Sequence, residues 1–426
     1  MILYKINSNF FAIILLCLFP FSQIIGQAVI SINYFLVFLL ALILIFNSSL
    51  KSTFINNYLN LLPFFLFLIL TSIYNFYLNE YSTPLKALLY IKNFFLTLII
   101  IYAFQNPKFQ KIFFRIIFFC CVFVAFDNYF QYFLGFDIFG YNKSMYRLTG
   151  PFGEGEYVTG AYLSRYLILI LPFYFLRNSK INLISIFFLL FFFFSILISG
   201  ERASFFSFLL GFFIFIIVYF KSIKKLFFFF LIFISLIFLA IKFNHTIQYK
   251  FLQTSYQLGT LKYYSKFFDL PDNFQDHKVK NFYDTRHGAH FLTAIEIWKN
   301  YKIIGVGPKN FSRECKKEKY NKVNSEGYEF RCNTHPHNIY LELLSETGTI
   351  GIVLFLTIIF LIFKEVFKLL LISKDPYLVS SFSQVVTIIW PLISSGSIIS
   401  NFNGSFFWLN LGILIAIINM NKNEKK

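Results

Sequence analysis

CNTHPHNIYLELLSETGTIG, Cys332 to Gly351, runs without interruption into IVLFLTIIFLIF, Ile352 to Phe363. Two histidines around a proline, an asparagine and two glutamates thus stand at the entrance to an apolar run. That run approaches the roughly 20 residues needed to cross a bilayer. Ionisable groups at the edge of a hydrocarbon layer are expensive to keep there, so each is a functional candidate. The stretch reads as a membrane helix that begins in a reactive polar cap.

The rest of the chain agrees with a membrane environment. Its 426 residues are 57% hydrophobic and only 14% charged, with a mean hydropathy of +0.65, whereas soluble domains carry about a quarter charged residues. The 65 phenylalanines follow a compositional bias and read as lipid-facing filler. Apolar runs fall at 10–26, 30–46, 59–76, 85–103, 112–133, 157–176, 181–198, 205–220, 226–243, 339–363, 379–395 and 405–419. The expected fold class is all-α: a polytopic integral membrane helix bundle of about twelve spans. The first run lacks a small-x-small cleavage site and is followed at once by a second, so it reads as an uncleaved helix.

The net charge of +18 invites a nucleic-acid reading, but its distribution is that of an orientation signal. With a cytoplasmic N-terminus, the inner segments collect Lys5, Lys51, Lys108, Lys111, Arg115, Arg177, Lys180, Lys221, Lys224, Lys225, Lys364, Lys368, Lys374, Lys422, Lys425 and Lys426. The short outer connections hold only Lys143, Arg147 and Arg202. Basic residues gather on the cytoplasmic side, which puts both termini inside and the long 244–338 loop outside. Three regions follow: 1–243 with nine spans, the 244–338 outer loop with short helices, and 339–426 with three spans and a cytoplasmic tail.

Loops this long in a compact protein are usually functional. Within it, HGAHFLTAIEIWKNY (His287–Tyr301) places Ala289, Leu292, Ile295 and Trp298 on one helical face. IIGVGPKNF (Ile303–Phe311) follows as a glycine turn. Cys315 and Cys332 lie in the same loop, where an oxidising compartment permits a disulfide. Such a bridge would contribute about 3 kcal/mol and pin the segment leading to the histidines. A zinc site of Cys315, Cys332, His335 and His337 is the alternative, and His-Pro-His aims its rings awkwardly for one tetrahedral ion.

Three clusters carry chemistry. SGERASF (Ser199–Phe205) sets Glu201 and Arg202 in a short outer turn; a guanidinium there binds phosphate through a planar fork and keeps its charge. YRLTGPFGEGEYVTGAYLSR (Tyr146–Arg165) adds Arg147 in a glycine-rich loop and Arg165 inside a span. The opening stretch and Arg286 form the third. There Asn338 is placed to cap the following helix, and Glu342 and Glu346 lie one and two turns beyond it on the same face. A histidine near its ordinary pKa can take a proton from a hydroxyl, and arginines can stabilise charge building on a departing diphosphate. Nothing in the set calls for a divalent ion. Coupling charges of transporters sit near the bilayer midplane, often in repeated halves; here they crowd the outer rim and no repeat is visible.

In these four blocks, THPHNIYLELLSETGTIG, RHGAHFLTAIEIWKNYKIIGVGPKNF, SGERASF and RLTGPFGEGEYVTGAYLSR, the chain resembles the O-antigen ligase and Wzy-type polymerase superfamily of bacterial inner-membrane glycosyltransferases. The resemblance implies a GT-C-like bundle and an inverting, metal-independent transfer in the periplasm, without a cofactor. It implies a glycan on undecaprenyl diphosphate as donor and a sugar hydroxyl, of lipid A–core or another glycan, as acceptor. Carried over, His337 would activate that hydroxyl, with Arg202 and Arg286 gripping the diphosphate. Arg147, Arg165, Glu201, His335, Asn338 and Glu342 would support substrate binding. Within the superfamily the ligase reading is preferred over a repeat-unit polymerase or a protein O-oligosaccharyltransferase.

Overall fold

In a computed structural model the described residues, which are 2–46, 61–79, 89–175, 183–220, 223–257, 260, 266, 282–321, 323 and 328–423, are mainly helical and form no strand. Lys51, Arg177, Lys180, Lys221, Lys425 and Lys426, part of the orientation signal, lie outside them. The first block contains α1 (Ile2–Ile25), α2 (Gln27–Phe46), α3 (Leu62–Asn79), α4 (Ile91–Phe104), α5 (Pro107–Leu134), α6 (Thr159–Phe175), α7 (Leu183–Ile198), α8 (Arg202–Phe220), α9 (Ile223–Phe243) and α10 (His245–Gln257). The outer loop adds α11 (Arg286–Asn300) and the single turn α12 (Phe311–Glu314). The chain closes with α13 (Ile339–Ile372), α14 (Pro376–Ile388) and α15 (Asn401–Asn423).

Every apolar run overlaps a helix, which makes this a polytopic membrane bundle. The expected count of twelve spans is not confirmed. Among the described residues five helices (α2, α5, α8, α13 and α15) are long and apolar enough to cross a bilayer. A sixth span is completed if α9 and α10, bent by 108° at their junction, count as one broken span. The clearest departure is the run 379–395. Its helix α14 stops at Ile388 after 13 residues, about 20 Å at 1.5 Å per residue against a hydrocarbon core of about 30 Å. Pro391 lacks the N–H that a continuing helix needs, and 389–400 runs on as turns and irregular chain bonded to residues 337–340 instead.

The bundle is organised around α15, buried almost continuously from Gly404 to Ile418. It packs on α4 and α14, and Trp408 donates from Nε1 to Ile398 O at 3.1 Å. Helix α8 approaches α14 closely at Gly211, where a Cβ would lie 2.7 Å from Thr387 Cγ2. Small residues permit such close crossings where lipid removes the hydrophobic incentive between helices.

The long loop before α13 is attached to the bundle by a backbone splice. Inside α13, Gly348 adopts φ +64° and ψ −167° and interrupts the helical ladder. The freed carbonyls of Ser345 and Glu346 accept from Val306 N (3.1 Å) and Gly307 N (2.8 Å). The freed amides of Thr349 and Ile350 donate to Lys302 O (2.8 Å) and Ile303 O (3.2 Å). Buried backbone polar groups must be paired, and here loop and helix pair one another. A Cβ at Gly348 would meet Ile303 O at 2.3 Å, on a left-handed backbone that side chains disfavour. Gly348→Ala is therefore expected to destabilise the fold by at least about 2 kcal/mol. The checks are membrane abundance and thermal unfolding in detergent, and an unchanged unfolding temperature would mean the splice is dispensable.

Candidate active site

Glu346 completes the splice. Its buried carboxylate accepts from Lys309 N at 2.7 Å and Phe311 N at 3.1 Å, so it fastens the glycine turn to α13. Beyond that turn a small core of Ala294, Ile297, Val306, Phe311, Cys315, Tyr320 and Val323 holds the loop together. Cys315 and Cys332 are disulfide-bonded, which takes both thiols out of the zinc alternative. Glu314, fully buried, accepts from Tyr320 Oη at 2.9 Å and pairs with Lys317 and Lys319 at 2.8 Å each. This scaffold sets the direction from which residues 333–338 reach the bundle.

His337 then takes a left-handed conformation, φ +58°. For a non-glycine residue this costs about 1–2 kcal/mol and marks functional sites often enough to direct attention there. The conformation is held by the segment that α14 fails to continue. Ser395 N donates to His337 O at 2.9 Å, and Ser395 Oγ accepts from Ile339 N at 3.0 Å. Asn338 Nδ2 donates to Pro391 O at 2.9 Å, and Tyr340 Oη to Ile389 O at 2.6 Å. Asn338 also caps α13, its Oδ1 accepting from Tyr340 N (3.0 Å) and Leu341 N (3.1 Å).

Four imidazoles meet here. The His337 ring centre lies 4.3 Å from that of His335, 5.1 Å from His287 and 5.3 Å from His290. The last two come from α11. Of Ala289, Leu292, Ile295 and Trp298, expected on one face of α11, Ala289 is fully buried and the other three are half-buried. The fully buried residues are Gly288, Ala289, His290, Thr293, Ala294 and Ile297. Three-residue spacing lags the 3.6-residue turn, and the i, i+3, i+4, i+7 pattern is the one that faces α13. Burial, then the neighbours His335, His287 and His290, hold His337 down at about 3. Burial first also lowers His290 to about 4 and lowers His287 and His335. Unfolded rings titrate near about 6.5. The cluster therefore contributes stability above that pH that is lost as pH falls toward these folded values.

Opposite the histidines lie the arginines. The turn before α8 is locked to the loop before α6: Leu148 N donates to Ser199 O at 3.2 Å. At Gly200 (φ +75°) a Cβ would collide with Tyr146 O at 2.2 Å. Arg147 and Arg202 are thereby brought to one place. Arg202 Nη1 donates to Thr254 Oγ1 at 3.0 Å. Arg165 descends from α6 over Phe406, 5.0 Å from its ring centre, and its Nη1 is buried without a partner. Glu201 sits at the start of α6, where its carboxylate accepts from Gly160 N (2.6 Å), Ala161 N (3.2 Å) and Ser204 Oγ (3.0 Å). Burial pushes Glu201 up to about 7, against the opposing pull of those donors and of Arg147 and Arg165.

Arg147, Arg165, Glu201, Arg202, His335 and His337 all line one cavity of about 590 Å³. Its walls also include His287, Thr254, Trp390 and Leu392. Three residues named from the sequence do not line it. Arg286 is exposed, its guanidinium 4.3 Å from the Phe330 ring centre. Glu342 is buried behind the wall with both carboxylate oxygens unpartnered. Asn338 is a cap. The sequence reading missed His287, His290 and the 389–396 segment. The first two carried a signal, the i, i+3 spacing of HGAH on an expected helix; the segment carried none, because its apolar residues resemble a span.

No curated protein matches the chain. Residues 186–356, from α7 through the histidine cluster to just past the Gly348 break, match the O-antigen ligase family model. The match covers less than half of the chain, and it shows the segment that carries Arg202 and the strained histidine to be similar to the O-antigen ligase family.

Proposed function

We propose that the protein is an inverting glycosyltransferase that moves a glycan from undecaprenyl diphosphate to a sugar hydroxyl of lipid A–core. On this reading the cavity opens to the periplasm and the termini are cytoplasmic. The observation that carries the reading is the sharing of one cavity by Arg147, Arg165, Arg202 and His337. Guanidinium forks suit the two phosphates and favour the charge that gathers on them as the glycosidic bond breaks. The acceptor oxygen bonds to the anomeric carbon from the opposite face while its proton passes to His337. The diphosphate leaves with the bonding electrons, still attached to its lipid. Arg286 joins the grip only by leaving Phe330.

The lowered basicity of His337, about 3, has a kinetic consequence. A ring that resists protonation remains a proton acceptor well below its ordinary range, so the transfer rate is expected to stay level from about pH 8 down to about pH 5. An inflection near 6.5 would show that the reacting group is not this half-buried imidazole. The acceptor class is tested by expressing the gene in ligase-deficient and polymerase-deficient hosts. Restored polymer on lipid A–core supports the ligase; restored chain length in the polymerase-deficient host alone makes it a polymerase.

A further inference from the structure

Asn333 Nδ2 lies 2.9 Å from His337 Nε2. Which amide atom faces the ring follows from the other end of the side chain. That end receives the backbone N–H of Thr334 at 2.7 Å. A backbone N–H can only donate, so the atom there is Oδ1 and the NH2 group faces the imidazole. An amide NH2 can only donate as well. Nε2 must then be the acceptor, and the neutral ring carries its proton on Nδ1.

Asn333 is also well placed to hold that role. It directly follows Cys332, which is bonded to the fully buried Cys315, and Arg331, just before that cysteine, donates from Nε to Cys315 O at 3.1 Å. The amide is thus carried on the loop's own core.

We propose that Asn333 is a positioning residue that fixes His337 as the Nδ1–H tautomer and stands at Nε2 in the place the acceptor hydroxyl takes. The inference rests on the reading of His337 as the base. An arriving hydroxyl replaces the amide as donor to Nε2 and then gives up its proton there. The imidazolium so formed has no lone pair for Asn333, so the amide stays displaced until the proton departs. The other groups facing His337 are His335 from its own loop and His287 and His290 from α11. Glu342 acts on His335, and Arg147 and Arg202 act on His287. The segment after α14 carries no titratable residue between 389 and 400.

The test uses the full-length protein in vesicles with a lipid-linked glycan donor and a glycolipid acceptor. A donor to Nε2 favours the neutral ring, so Asn333→Ala is expected to move the acidic limb of the pH–rate profile up by about one pH unit. Asn333→Asp, which accepts from the imidazolium, is expected to move it further. Nitrogen NMR of labelled histidine reads the tautomer directly: Nδ1–H in the wild type, with loss of that preference in Asn333→Ala. A uniform fall in rate with an unmoved limb and an unchanged tautomer overturns the proposal. If His337→Ala is inactive while Asn333 variants shift nothing, this inference alone fails. If His337→Ala is active, the function itself is misread, and the NMR result still decides the tautomer.

Discussion

His337→Ala is expected to lower glycan transfer by at least about 10²-fold, and up to about 10⁴-fold, the range set by loss of a positioned proton acceptor. Membrane abundance should stay normal. The backbone makes a second variant informative. Residue 337 has φ +58°, a region that glycine enters freely, so His337→Gly relieves about 1 kcal/mol of strain while deleting the same imidazole. The glycine variant should be as inactive as the alanine variant and at least as stable. Surface glycan on gels, tagged protein in membranes and thermal unfolding in detergent give the three readouts. Wild-type surface glycan in either variant would remove His337 from the mechanism. Loss of activity in alanine with recovery in glycine would assign the effect to folding.

Arg202→Lys separates charge from shape. Arg202 lines the cavity and spends Nη1 on Thr254 Oγ1, which leaves the remaining N–H groups of the guanidinium to meet a ligand. Lysine keeps the positive charge but offers a point donor instead of a planar fork. A loss of about 10²-fold in transfer is expected, comparable to deleting one preorganised donor from a developing anion. The assay is single-turnover transfer from purified lipid donor. Full activity in the lysine variant would reduce the role of Arg202 to electrostatics. Retained binding with slow transfer would place its contribution in the bond-breaking step.

The two outcomes depend on parts of the molecule that differed in how legible they were. The helix start at Asn338 and the glycine turn at 303–311 were readable because capping and positive φ are local requirements of particular residue types. The run 379–395 was misread because hydropathy records apolar content and not where a helix stops, and Ile389 to Ile393 are apolar while bonded to the histidine loop. On α11 the three-residue spacing picked out the buried Ala289 with three half-buried residues, and His290 beside it was passed over. Arg286 matched a motif, yet motif position says nothing of where a long side chain points, and here it lies over Phe330.

The sequence by itself determined the membrane class, the succession of apolar helices and the long loop, and it singled out His337, Arg202, Arg147 and Arg165 as candidates. Those properties come from composition and from spacing within a few residues, which any chain carries before it folds. Only the tertiary structure decided that Glu346 ties the glycine turn to a broken helix, that Ser395 holds His337 in its strained conformation, and that His287 and His290 stand beside it. These are meetings of residues tens of positions apart. They depend on which backbone groups are left unpaired when a helix breaks or stops, and that is settled by packing.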